Sequence, residues 1–247
     1  MKTLFIPMLK MKTTKVGFNK KTFRIRTLTA VVFAAVMLLG LFTNVWAFLS
    51  LFFIIMIGCL IEYIKLIFRF NAYLLPLAVF YIIMPVLMMI DLGVDGTLFA
   101  SGERGDLYVT EVFTPLFPSA IIFSIWINDT MAYIVGSIIG KTPFSKISPN
   151  KTWEGTAGGA VLCIVVIAIL GSVIPAAKHI ALHHWIAIAA ICAIFGTIGD
   201  LLESKIKRLA HVKDSGNFMP GHGGFLDRFD SLLVATPFVW LYLKLFF

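Results

Sequence analysis

The sequence predicts an all-α, polytopic membrane protein of about seven transmembrane helices with a cytoplasmic N-terminus. Three observations lead there. Of 247 residues, 59% are hydrophobic and 14% charged, and the mean hydropathy is +0.93, well above the range of soluble domains. Several apolar stretches reach 18 residues or more, enough for a helix to cross about 30 Å of hydrocarbon. The basic residues, finally, fall on one side of the topology that these stretches define.

In chain order, residues 1–27 form a basic leader. The first long apolar run starts near Leu28 behind that leader and lacks a small-residue cleavage site, so it reads as a span and not as a cleaved signal peptide. Spans are expected at about 28–44, 45–64, 72–91, 117–138, 156–176, 184–201 and 229–247. Thr43 and Asn44 are the only polar break in the first forty apolar residues, a run too long for one crossing at about 1.5 Å per residue. With the N-terminus inside, eighteen of the 21 Lys and Arg lie in cytoplasmic segments, whereas the outside loop 91–116 is Gly-rich and acidic and reads as a solvated connection. The same drawing puts the C-terminus outside. Residues 28–116 then make an N-terminal set of helices with its outside loop, and 117–247 a second transmembrane set. The net charge of +8 records orientation and attraction to anionic membrane lipid, with no nucleic-acid partner expected. Cys59, Cys163 and Cys192 sit singly in apolar runs and read as packing residues.

Polar residues concentrate on the cytoplasmic side. A carboxylate at membrane depth costs about 2.5–3.5 kcal/mol even on the lenient insertion scale, so each one implies a partner or a wet cavity. Asp129 lies well inside the fourth span, with Tyr133 and Gly136 on its helical face. Asp200 closes the sixth span, with Ser204 and Arg208 four and eight residues on and Lys207 close to that face. The stretch "KDSGNFMPGHGGFLDRFD" then adds Lys213 beside Asp214, glycines that let backbone amides approach an anion, and Asp227 and Asp230 one turn apart. Such an inventory suits phosphate handled with Mg²⁺. Zinc fits less well, because His222 has no second His or Cys at ligand spacing. "GSIIGKT" at 136–142 has three residues between its glycines where a P-loop has four, so Gly136 and Gly140 read as a close helix contact.

The run Ser204-Lys205-Ile206-Lys207-Arg208, then Lys213-Asp214, His222-Gly223-Gly224 and Asp227-Arg228-Phe229-Asp230 resembles the signature of the phosphatidate cytidylyltransferases, or CDP-diacylglycerol synthases. "DTMAY", "SPNKTWEG" and "GDLLES" resemble that family's other motifs over roughly 120–247, and upstream only "EY" at Glu62-Tyr63 does so. Met131 and Gly136-Ser137 stand where the family often has Gly and Gly-Arg. The resemblance implies transfer of a cytidylyl group from CTP to phosphatidate by a homodimeric multi-span enzyme of the cell (inner) membrane. Residues 117–247 would be its catalytic transmembrane domain, with a polar cavity that opens to the cytoplasm and uses Mg²⁺, a second metal ion being an option. Implied metal ligands are Asp200 and Asp227, with Asp230 and Asp129 as further ligands. Ser204, Lys207, Arg208 and Lys213 would hold triphosphate or lipid phosphate, with Lys151 and Thr152 approaching from the other half and Glu154 orienting a lysine. Asp214 and His222 join the catalytic set, and Gly223, Gly224 and Arg228 the substrate-binding set. A CTP-dependent lipid or polyprenol kinase is the nearest alternative, and an anionic-solute transporter a more distant one.

Overall fold

A computed structural model describes residues 20–94, 113–145, 147–219 and 223–247. Among these, the regular structure is all helical, and the connections add two isolated β-bridges, Pro143 with Thr152 and Met219 with Gly223. Seven α-helices follow one another: α1 (Lys20–Phe42), α2 (Val45–Ile67), α3 (Met84–Gly93), α4 (Leu116–Ile139), α5 (Trp153–Val173), α6 (Leu182–Leu209) and α7 (Leu226–Phe246). Five of them, α2 and α4 to α7, are long and apolar enough to cross a membrane.

The polar break at Thr43-Asn44 works as a turn. Asn44 is extended, and its side chain accepts the Ala47 amide at 2.9 Å, which satisfies an N–H that the start of α2 would otherwise leave open. Gly40 lies against Leu51, so α1 folds back closely along α2. The third expected span, 72–91, is not one continuous helix. A 3₁₀ turn at Ala72–Leu74 and a π-helical turn at Val79–Ile83 precede α3. Pro76 and Pro85 explain the break, because a proline supplies no amide to the helical ladder; beside Pro85, the Met84 amide reaches five residues back to the Val79 carbonyl. The apolar segments Thr27–Phe42 and Val79–Gly93 are shorter than the five long spans.

Helices α4 to α7 form the bundle that carries the polar residues, and glycines set their spacing. A Cβ on Gly155 would sit 2.8 Å from the Ala132 carbonyl, and one on Gly159 would sit 2.7 Å from the Ala132 amide nitrogen, so α5 touches the backbone of α4. Gly199 brings α6 equally close to α7 at Asp230. Gly159→Val is therefore expected to push α4 and α5 apart and to destabilise the protein by about 1–3 kcal/mol, read as a lower thermal unfolding midpoint in detergent. The three cysteines are buried and free, as packing residues should be.

At one end of the bundle Asp91, fully buried, accepts the Trp240 indole N–H at 2.7 Å and pairs with Lys244 at 3.2 Å, tying α3 to α7. Along the outside, Val31, Leu39, Phe53, Val165, Ile169 and Ile194 are exposed apolar side chains, the surface that lipid contact requires. At the other end, the C-terminal halves of α4 and α6 meet the N-termini of α5 and α7, and the ionisable residues gather there.

Candidate active site

That end holds a cavity of about 650 Å³. Helix α4 lines it with Asn128 and Asp129, the segment before α5 with Lys151 and Thr152, α6 with Asp200, Glu203 and Lys207, and the start of α7 with Asp227, Arg228 and Asp230. Asp214 reaches it from the α6–α7 connection. Helical geometry explains the α6 set: positions 200, 203, 204 and 207 share one stripe.

Two lysine–carboxylate pairs face this space. Lys151 Nζ lies 2.5 Å from Asp200 Oδ2, while Ser204 donates to Asp200 Oδ1 at 3.3 Å. Lys207 stands between two carboxylates, paired with Glu203 one turn back and 2.6 Å from Asp227 Oδ1. The second oxygen of Asp227 accepts the Ser215 amide at 2.9 Å and the Gly224 amide at 2.8 Å. Gly223 has φ +87°, a left-handed conformation that lets the chain double back onto Asp227 where a side chain would collide with that carboxylate. Asp230 accepts the Ser231 amide at 2.6 Å, and Asp129, Asp200 and Asp230 stand close enough to feel one another's charge.

A further carboxylate organises the connection itself. Glu62 is buried on α2 and accepts Ser215 Oγ at 2.6 Å, the Phe225 amide at 3.0 Å and the Leu226 amide at 2.9 Å. Gly216 and Gly224 lie so near it that a Cβ on either would collide with the carboxylate, and Phe225 packs on Gly58 one turn away on α2.

The structure brings together Asp129, Lys151, Thr152, Asp200, Lys207, Asp214, Asp227, Arg228 and Asp230 around one cavity. Others named from the sequence sit differently. The Glu154 carboxylate accepts the Lys141 and Thr142 amides and the Thr142 hydroxyl, clamping the α4–α5 connection, because its place in the first turn of α5 points it at that backbone; among the described residues it makes no ion pair with a lysine ammonium. Arg208 donates to the Val212 carbonyl at 3.0 Å, closing the end of α6. Lys213 is exposed and is not among the residues that line the cavity. Ser204 acts on Asp200, and Gly223 and Gly224 on Asp227, all from behind the lining. Gly136 and Gly140 both abut Thr152, so the "GSIIGKT" segment packs α4 on the start of α5. His222 lies outside the described residues, as do Lys146, the leader up to residue 19 and loop residues 95–112. Sequence reading missed Glu203, although it stands four residues before Lys207 in a membrane helix. It also gave no role to Glu62, whose carboxylate at membrane depth was the available signal.

Among the described residues no group of three His, Cys, Asp or Glu side chains forms a ready-made metal cage. Mg²⁺ needs none, being commonly held by one or two carboxylates, water and substrate phosphates. Asp129, Asp200, Asp227 and Asp230 offer that hard oxygen chemistry. A carboxylate has about four lone-pair sites, and Asp227 spends three on Lys207, Ser215 and Gly224.

A sequence model of the cytidylyltransferase family matches residues 77–246. The phosphatidate cytidylyltransferase of Bacillus subtilis (strain 168) is 48% identical over 123 residues, 49% of this chain and 45% of that protein. Its counterpart in Staphylococcus saprophyticus is 46% identical over 114 residues, 46% of this chain and 43% of that protein. Phosphatidate cytidylyltransferase 4, chloroplastic, of Arabidopsis thaliana is 41% identical over 117 residues, 47% of this chain and 29% of that protein. In these matches the chain spans less than half the length of each relative.

Proposed function

Because this chain belongs to the cytidylyltransferase family, we propose that it transfers the cytidylyl group of CTP to phosphatidate, giving CDP-diacylglycerol and pyrophosphate. The observation that carries this reading is the pairing of Lys151 with Asp200 and of Lys207 with Asp227 around one cavity at the end of a lipid-facing bundle.

A phosphate oxygen of phosphatidate attacks the α-phosphorus of CTP; the new P–O bond forms as the α–β bridging bond breaks, and pyrophosphate leaves with that oxygen. Both reactants are anions. Charge neutralisation and alignment therefore carry most of the catalysis, with little covalent chemistry left to the protein. Lys151, Lys207 and Arg228 supply positive charge from three elements, so incoming phosphate oxygens exchange for the carboxylates that hold the lysines. Asp200 and Asp227 would hold Mg²⁺, with Asp129 and Asp230 as further oxygen donors. When bound, the ion supplies positive charge to the triphosphate oxygens and the leaving pyrophosphate. Glu203 keeps the Lys207 ammonium directed toward Asp227, and Glu154 fixes the connection that carries Lys151.

The excess of Lys and Arg in alternate segments supports an N-terminus in the cytoplasm and the cavity at the cytoplasmic end. Helix α1 and the run Val79–Gly93 would complete seven crossings. Phosphatidate would then reach the site from the adjoining leaflet with its headgroup at cavity depth.

The position of the label decides the reaction. Purified protein in detergent with phosphatidate, Mg²⁺ and CTP labelled at the α-phosphorus is expected to move label into the lipid phase, while γ-label stays in water as pyrophosphate. Transfer of the γ-label to lipid instead would replace this reading with a lipid kinase, and neither transfer would reject both.

A further inference from the structure

Asp227 is held by groups that do not hold themselves. Its Oδ2 rests on the amides of Ser215 and Gly224, which belong to the α6–α7 connection. Among its described residues, that connection carries no helix or strand of its own between Leu209 and Leu226. The α2 carboxylate of Glu62 closes the circuit, taking the Ser215 hydroxyl and the Phe225 and Leu226 amides within 3.0 Å. The contacts span more than 150 positions of sequence. Ser215 links the two carboxylates directly, since its amide donates to Asp227 and its hydroxyl to Glu62. The Glu62 carboxylate also takes the place that helix starts favour for an anion, accepting the first amide of α7. A methyl group on Gly216 or Gly224 would occupy the carboxylate's volume, so the connection is shaped around it.

We propose that Glu62 is a positioning residue for the cytidylyl-transfer site: it fixes the α6–α7 connection so that Asp227 meets Lys207 at the cavity wall. The inference rests on the function proposed above and extends the working site to α2, upstream of the residues 77–246 that the family model matches. Glutamine has nearly the same shape but offers one acceptor oxygen and an NH₂ group, which would face backbone donors. Glu62→Gln therefore unfastens the connection without emptying the space.

The test measures Glu62→Gln, Ser215→Ala, their double variant and the wild type in one detergent. Peptide-level hydrogen exchange is read over 213–226 and, for reference, over α4 and α5, beside kcat for α-label transfer. In Glu62→Gln, exchange over 213–226 is expected to rise about tenfold with α4 and α5 unchanged, and kcat to fall about 10- to 100-fold, the usual effect of losing a group that orients a site residue. Ser215→Ala should do the same to a smaller extent, and the double variant should be no slower than Glu62→Gln, because both act on Asp227 through one connection. Unchanged exchange, unchanged kcat or additive losses would overturn the proposal. Should Glu62→Gln not fold, Ser215→Ala decides alone: wild-type exchange and kcat would overturn the proposal, and a local rise with slower transfer would sustain it. Failure of the wild type to transfer label would reject the reaction and the catalytic part of this proposal; the exchange data would still decide whether Glu62 holds the connection.

Discussion

Asp227→Asn is expected to lower cytidylyl transfer by about 10³-fold while leaving a folded protein, the upper range for loss of one preorganised charged group in an active site. The asparagine oxygen can still accept the Ser215 and Gly224 amides, so the connection keeps its course. Its NH₂ group would then face the Lys207 ammonium, donor against donor, where the carboxylate now accepts at 2.6 Å. Lys207 keeps Glu203 as its partner and turns from the position in which it would meet a phosphate. Turnover and the thermal unfolding midpoint, measured on the same preparation, separate these effects. Activity near that of the wild type would remove Asp227 from the site.

Lys207→Met should lose both stability and activity. Glu203 is fully buried, the Asp227 side chain is 7% exposed, and Lys207 pairs with both. Removing one member of a buried ion pair typically destabilises by about 3–5 kcal/mol, and here the loss falls on Glu203, because Asp227 keeps the Ser215 and Gly224 amides. Methionine retains most of the aliphatic stem, so lost packing contributes little. The informative control is the double variant Glu203→Gln, Lys207→Met. It should recover much of the unfolding midpoint, because one orphaned carboxylate is gone, and none of the turnover, because the cation is still missing. Recovery of turnover would show that Lys207 serves the fold alone.

The sequence made the bundle readable because its strongest signals are local. Apolar run length placed α4, α5 and α7 to within about three residues, whereas α6 runs on to Leu209, past the expected end at 201, because its last two turns are charged; the Thr43-Asn44 break marked the turn that Asn44 caps. Helical spacing put Asp200, Ser204 and Arg208 on one stripe, with Lys207 close to it, before any partner was known. Broken helicity before α3 was within reach too, since Pro76 and Pro85 stand in the sequence, but a hydropathy window weighs apolar side chains and ignores missing amides. What stayed out of sight depends on contacts between distant segments. Glu62 meets Ser215 only after α2 packs beside the α6–α7 connection, and Glu154 reads as a lysine partner until the α4–α5 connection is seen folding over it. Lys213 and Arg208 share a motif with Lys207, but neither lines the cavity, and Arg208 instead donates to the Val212 carbonyl, a local contact that motif spacing does not encode.

The most direct test of the account sets wild type beside Asp227→Asn and Asp200→Ala, each with phosphatidate, α-labelled CTP and a Mg²⁺ titration, after exchange or unfolding data have shown that all three are folded. The account expects lipid-bound label from the wild type, and from the variants a loss of at least about 10²-fold that persists at high Mg²⁺. Label entering the lipid phase at similar rates in all three would contradict it, because the reaction would then proceed without the carboxylates around which the cavity is built.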